Sequence, residues 1–241
     1  MENSQLSLVL LKPDAMNLSL SGYIFSQLSE FHTGLCFAGL KVVKVTDMLA
    51  GEHYAEHKGK SFFPSLLQYI KGELHYTDAD KRRVIAIVYK GEDAVAKIRA
   101  LCGPTNPIKA RDEKPGCIRS LGAVVPIKDA EGNVIGDRMD NLIHASANTD
   151  DAEREIKLWF KPNELPPAMR AIYPTKTATT FYYYDNGKLT QESTKTAVCL
   201  VAPCDTVWAS DLEALEAIAS GKESKVTLES VAAKYMINEE K

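Results

Sequence analysis

Leu6-Ser7-Leu8-Val9-Leu10-Leu11, closed by Lys12-Pro13-Asp14, is the stretch from which the chain is best read. The run is apolar at almost every position, so the alternation of a strand with one wet face is missing. It reads as a strand buried on both faces, ended by Pro13, which has no N–H for a central ladder. Val84-Ile85-Ala86-Ile87-Val88-Tyr89 is a second run of this kind, with helical spacing from Glu92 to Leu101 after it. Two buried strands joined through helices call for an α/β or α+β domain.

The segments between and beyond fill in the order. Ile24, Leu28 and Phe31 recur at helical spacing over Gly22 to His32, with Gly34 as the stop. Gly39 to Thr46 alternates apolar residues with lysines, as a half-buried strand does. A helix is predicted from Asp47 through His57 and another from Pro64 to Ile70. Gly103 to Pro115 reads as a loop, Cys117 to Val125 as a strand, and Lys128 to Val134 as a hairpin tip. Asp150 to Phe160 is helical. The predicted order is β-α-β-α-β-α-β-α, without a repeat. Lys161-Pro162 and Pro166-Pro167 mark a boundary. Beyond it, Phe181 to Tyr184 and Ala197 to Val201 flank a turn at Asp185-Asn186-Gly187, and two helices follow, near 211–220 and 227–236.

Composition sets outer limits. The chain has 241 residues, 45% hydrophobic and 25% charged, with 29 Lys+Arg against 32 Asp+Glu. That is a globular composition, and a net charge of -3 carries no global basic footprint for nucleic acid or a membrane surface. Five scattered cysteines without a C-x-x-C pair fit reduced thiols better than a disulfide framework. Leu6–Leu11 is too short for a signal peptide or membrane span, so a cytoplasmic protein is expected.

Several motifs compete for the chemistry. Gly59-Lys60-Ser61 suggests a phosphate loop, but position 54, where a second glycine is required, is Tyr, and no apolar strand leads in. His53-Tyr54-Ala55-Glu56-His57 matches the H-x-x-E-H pattern of one zinc peptidase class, provided both histidines share a helix face; no third ligand is evident. His144 follows an apolar pair, has small neighbours, and precedes the helix carrying Glu155. A histidine whose second ring nitrogen is held by a carboxylate is a better nucleophile. Lys12, Arg99 and Arg119, brought together by a compact fold, would clamp a polyphosphate.

In combination these blocks resemble the nucleoside diphosphate kinase family. The blocks are Lys12-Pro13-Asp14, the Glu52–Phe63 stretch, Arg99, Gly103-Pro104-Thr105-Asn106-Pro107, Pro115–Arg119, Asn141–Ser146, and Ala152–Ile156 with Trp159-Phe160, and they occur in family order from about residue 5 to 162. The resemblance implies a ferredoxin-like sandwich, a four-stranded antiparallel sheet covered by helices, here with a small C-terminal α+β extension. It implies ping-pong transfer of the γ-phosphoryl group from a nucleoside triphosphate (ATP, GTP and others) through His144 to a nucleoside diphosphate. By the same resemblance Lys12, Arg99 and Arg119 hold phosphate oxygens and Thr105 donates a hydroxyl. Tyr54 lies beside Lys12, Phe62 stacks on the base, Asn141 meets the ribose 3′-hydroxyl, and Glu155 orients His144. Mg2+ arrives on the nucleotide phosphates, with no dedicated protein cage, and a homo-oligomer, dimer or higher, is expected.

Three positions depart from the family's usual residues: Ala15 for Gly, Leu18 for Arg, and Ala147 for Asp. The predicted layout is a kinase domain at 1–162 with an insertion at about 123–140, and an extension at 163–241. The alternative reading is a catalytically silent nucleotide-binding or scaffold protein of the same fold.

Overall fold

The computed structural model describes residues 4–128 and 131–236. Its strands are β1 (Ser4–Leu11), β2 (Cys36–Val43), β3 (Val84–Glu92), β4 (Ala123–Lys128), β5 (Val134–Asp140), β6 (Ile143–Ala145), β7 (Thr175–Thr177), β8 (Tyr182–Asp185), β9 (Lys188–Thr190), β10 (Val198–Val201) and β11 (Thr206–Trp208). The helices are α1 (Pro13–Asn17), α2 (Ser21–Gln27), α3 (Glu30–Thr33), α4 (Asp47–His53), α5 (Phe63–Lys71), α6 (Ala94–Cys102), α7 (Pro107–Glu113), α8 (Thr149–Trp159), α9 (Pro167–Arg170), α10 (Ala209–Ala219) and α11 (Leu228–Ala233).

The main sheet has the order β2-β3-β1-β6, with every neighbouring pair antiparallel. Why β1 is apolar throughout is now plain. Leu6, Leu8 and Leu10 enter a core shared with α4, α5 and α8, whereas Val9 and Leu11 enter a second core with α2 and α6 on the other face. Helices therefore cover both sides, a ferredoxin-like α+β sandwich. On the short edge strand β6, Ile143 and Ala145 belong to the second core. Period-two alternation turns His144 between them toward the face of α4 and α8.

Several local expectations need correction. The helix expected over 22–32 breaks after Gln27; the Ser29 side chain caps the short α3, and Phe31 is 93% exposed rather than on the buried face. The stretch read as a loop contains α7, because Asn106 caps it through the N–H groups of Ile108 and Lys109 while Pro107 takes the first turn, where its missing N–H is harmless. Arg119 sits on a 3-10 turn, Ile118–Leu121, not on a strand. α4 ends at His53, and Ala55–His57 forms a separate 3-10 turn, so His53 and His57 do not share a helix face. The turn at Asn186-Gly187 joins β8 to β9, and β10 pairs with the other edge of β8. β4 and β5 form a hairpin arm; residues 129 and 130 of its expected tip lie outside the described residues.

The C-terminal segment does two things at once. Around β8, β10, α10 and α11 it builds a small core of its own. It also inserts Tyr173, Trp208 and Ala233 into the main core beside Trp159 and Phe160. The Trp208 indole donates to the Phe160 carbonyl at 2.7 Å. Glu52, at the end of α4, accepts from Thr227 and Ser230 at the start of α11. No helix of the described chain is long and apolar enough to cross a membrane.

Candidate active site

A cleft of about 440 Å³ opens between β6, α4, α5 and the β4–β5 arm. All nine residues singled out for chemistry from the sequence line it: Lys12, Tyr54, Phe62, Arg99, Thr105, Arg119, Asn141, His144 and Glu155.

Its floor is built where β1 runs into α1. Lys12 is buried, and its ammonium donates to Oδ1 of Asn141 at 2.7 Å and lies over the Tyr69 ring. Burial lowers its pKa to about 8, against the opposing pull of Asp14. Asp14 accepts from the Tyr69 hydroxyl at 2.8 Å and from the Leu142 N–H at 2.9 Å. Leu142 has φ 69, a strained value for a side chain of this kind. The Asp14 bond and one from the Lys12 N–H to the Leu142 carbonyl at 2.9 Å hold it there. That bend delivers Asn141 and His144 to the same floor.

Arg119 is held from behind. It donates to the Gly103 carbonyl at 2.9 Å and to the Ile143 carbonyl at 3.2 Å, and burial lowers its pKa. Gly103 has φ +78, and a Cβ there would collide with Sγ of Cys117, so the approach requires glycine. Asn141 completes the frame by donating to the Thr105 carbonyl at 2.9 Å. Arg99 leaves the last turn of α6, and Phe62 stands at the cleft mouth, 46% exposed.

His144 turns its Nε2 toward Glu155, 3.0 Å from Oε1. Nδ1 is then the ring nitrogen left toward the cleft. The second Glu155 oxygen accepts from the Ser146 hydroxyl at 2.6 Å. Burial alone would raise the Glu155 pKa, but the facing His144, then His53 and the Ser146 hydroxyl, pull it down to about 2. Glu155 is thus a fixed anion behind the imidazole. Tyr54 is buried and its hydroxyl is pushed to a higher pKa by that burial.

Sequence reasoning missed the part that four residues play in supporting this site. Asp14 and Tyr69 brace the strained turn, and Ser146 fixes Glu155. His53 places its ring 4.6 Å edge-on from that of His144 while accepting from the Trp159 indole at 3.2 Å. The spacing of Lys12 to Asp14 and of His144 to Ser146 was the available signal, since residues two apart on a strand or bend share a side. The arm also reaches the cleft through Ile127, Arg138 and Met139. Arg138 is anchored on Asp140, which also meets His75 at 2.9 Å.

Among the described residues, one cluster of three side chains has the donors to hold a metal: His53, His144 and Glu155. Two nitrogens and one carboxylate do not suit Mg2+, which takes oxygen ligands. His57, the second histidine of the H-x-x-E-H pattern, has no place in it.

A ferredoxin-like sandwich that gathers three cations and a carboxylate-backed histidine around one cleft sets positive charge beside an imidazole. The family model described as nucleoside diphosphate kinase matches residues 5–165. A nucleoside diphosphate kinase of Thermococcus kodakarensis is 38% identical over 159 residues, 66% of this chain and 78% of the relative. Two solved structures share the fold. One is the Halobacterium salinarum nucleoside diphosphate kinase in complex with CDP, 34% identical with a TM-score of 0.52, covering 68% of this chain and 92% of that one. The other, a transition state mimic of the Borrelia burgdorferi kinase with bound vanadate and ADP, is 29% identical with a TM-score of 0.53, covering 69% and 92%. The chain belongs to the nucleoside diphosphate kinase family.

Proposed function

We propose that the protein exchanges γ-phosphoryl groups between nucleoside tri- and diphosphates by a ping-pong mechanism through a phosphohistidine at His144. The observation that carries this reading is the pairing of His144 Nε2 with the Glu155 carboxylate at 3.0 Å, at the edge of a cleft lined by Lys12, Arg99 and Arg119. With its proton kept on Nε2 by Glu155, neutral His144 offers the Nδ1 lone pair. That nitrogen attacks the γ-phosphorus, the bond to the β–γ bridging oxygen breaks, and its electron pair leaves with the diphosphate. The ring turns cationic, and Glu155 stabilises that charge. A second diphosphate then takes the group back through its terminal oxygen. Phosphoryl transfer needs alignment and charge neutralisation more than anything else.

Lys12, Arg99 and Arg119 bind the phosphates, and Thr105 donates its hydroxyl. Asn141 receives the ribose 3′-hydroxyl, Tyr54 packs the Lys12 side of the site, and Phe62 stacks on the base. Any base has a face for that contact, so broad specificity follows. Magnesium enters on the nucleotide, where it neutralises phosphate charge; no protein cage is needed. Residues 1–162 act as the catalytic unit and 163–241 as a brace on α4. Self-association through the edge strand β2, with Leu40 and Val42 exposed, accounts for the expected homo-oligomer.

Incubation with γ-labelled ATP should yield an acid-labile, base-stable phosphoprotein that passes its label to added diphosphate. Equal labelling of His144→Ala would remove the proposal. Nucleotide binding without exchange would leave the silent binding protein instead.

A further inference from the structure

We propose that Arg138, carried by the β4–β5 arm, is a specificity-determining residue that reads the edge of the bound base and favours carbonyl-bearing bases over amino-bearing ones. The inference rests on the nucleotide reading of the cleft and adds which nucleotides the cleft prefers. The arm contributes Ile127, Asp137, Arg138 and Met139 to the cleft lining, where Phe62 and Leu66 also stand. Ile127 and Met139 give the arm an apolar surface, which suits a base better than a phosphate. Arg138 comes from that same surface and is held in one orientation. Its Nε and Nη2 donate side-on to the two oxygens of Asp140, at 2.6 and 2.9 Å. Residues two apart on β5 project to one face, which is why this pair can form. Asp140 in turn meets Nε2 of His75 at 2.9 Å, a contact that ties the arm to the body of the fold. Burial pushes the Asp140 pKa up, but the bonds from His75 and Arg138 hold it below the ordinary carboxylate value, so it stays an anion beside the guanidinium.

This anchoring decides what Arg138 can recognise. Its charge is already matched by Asp140, whereas the Lys12 ammonium bonds a neutral amide, so Arg138 has less to offer a phosphate. The side-on pair uses only two of the five N–H groups and leaves the fork formed by Nη1 and Nη2. A guanidinium donates and never accepts. The fork therefore matches the O6 and N7 acceptors of a 6-carbonyl purine, or the O4 of uracil. At the same edge adenine and cytosine present an amino donor, which the fork cannot bond. The result is a preference laid over the broad specificity that stacking on Phe62 gives.

The test measures equilibrium binding of nucleoside diphosphates, with Mg2+, to the unphosphorylated full chain. IDP is set against ADP and UDP against CDP, pairs whose bases differ in a carbonyl for an amino group. In the unmodified chain the carbonyl member of each pair should bind at least about fivefold tighter, the low end of what such a base contact is worth. Arg138→Met removes the donors, and Arg138→Lys keeps the charge beside Asp140 without the fork; each should bring both ratios to within about twofold of one. Inorganic tripolyphosphate, which has no base, should bind Arg138→Lys as tightly as the unmodified chain, and this checks that the cleft is intact. Equal binding within each pair in the unmodified chain, or ratios that survive in both variants, overturns the proposal. A uniform loss of all the diphosphates and of tripolyphosphate in Arg138→Lys makes Arg138 a phosphate contact and overturns it as well. Binding needs no turnover, so the expected ratios in a chain that exchanges no label uphold the role of Arg138 and overturn the kinase reading alone.

Discussion

Among the described residues, buried charge in the cleft and buried charge in the C-terminal segment are built on opposite lines. Asp211 and Lys234 are both buried and hydrogen-bonded to each other, joining α10 to the residue after α11. Burial pushes Asp211 up and Lys234 down, each against the attraction of the other. Neither residue lines the cleft. Lys12 is also buried, yet the hydrogen-bond partner of its ammonium is a neutral amide, and the residue lines the cleft. Glu155 likewise holds a histidine whose far nitrogen is free. A closed pair serves the fold; an open one holds charge ready for a ligand.

Reversing the two lysines' surroundings is the sharpest way to break this contrast. Lys12→Met should cut kcat/KM by about 10²–10³, the scale of losing one preorganised charge contact in a transition state, while thermal stability stays within about 1 kcal/mol because a desolvation cost is removed with the charge. Asp211→Ala should do the reverse. Leaving Lys234 buried without its partner should cost about 3–5 kcal/mol in denaturant melts, with kcat per folded molecule unchanged. If Lys12→Met unfolds the chain, or Asp211→Ala is silent, the division fails.

A smaller effect belongs to Phe62, which is exposed at the cleft mouth and meets only the edge of His57 and the Lys60 ammonium among the described residues. Phe62→Ala should raise KM by the equivalent of about 1–3 kcal/mol for every base alike. A loss confined to purines or to pyrimidines would contradict a face-on contact. Smaller again is the pH dependence of Lys12. Its folded pKa, about 8, lies below the ordinary 10.5, so nucleotide affinity should fall as pH rises through 8, by up to about tenfold per unit. Stability moves the other way. The folded chain binds this proton more weakly than the unfolded chain, so the penalty is full below pH 8 and is relieved between 8 and 10.5. Titration calorimetry and melts across that range read both signs.

Much of this was legible in the residues. Both-face burial of β1 and β3 could be read from unbroken apolar runs, and the ordered blocks around Lys12, Arg119 and His144 pointed to one cleft. Four kinds of feature were not legible, for physical reasons. Proline looks like a loop residue from outside, but Pro107 behind a capping Asn106 starts a helix. Spacing implied that His53 and His57 share a face, but the chain turns at Tyr54, whose φ -104 and ψ 27 leave the helical region. The Asp185-Asn186-Gly187 turn was recognisable, but which later strand pairs across it depends on tertiary packing that no local signal carries. Tyr69 and His53 support the site through contacts with distant segments, and only the two-residue spacings from Lys12 to Asp14 and from His144 to Ser146 hinted at the other two supports.

The central claim is that Nδ1 of His144 is the phosphorylated atom because Glu155 keeps its proton on Nε2. Phosphorus and nitrogen NMR of the phosphoprotein, labelled with nitrogen-15 at histidine, reads the bonded nitrogen directly. A one-bond phosphorus coupling to Nδ1 of His144, lost in His144→Ala, is the predicted result; coupling to Nε2, or to another histidine, would contradict the account.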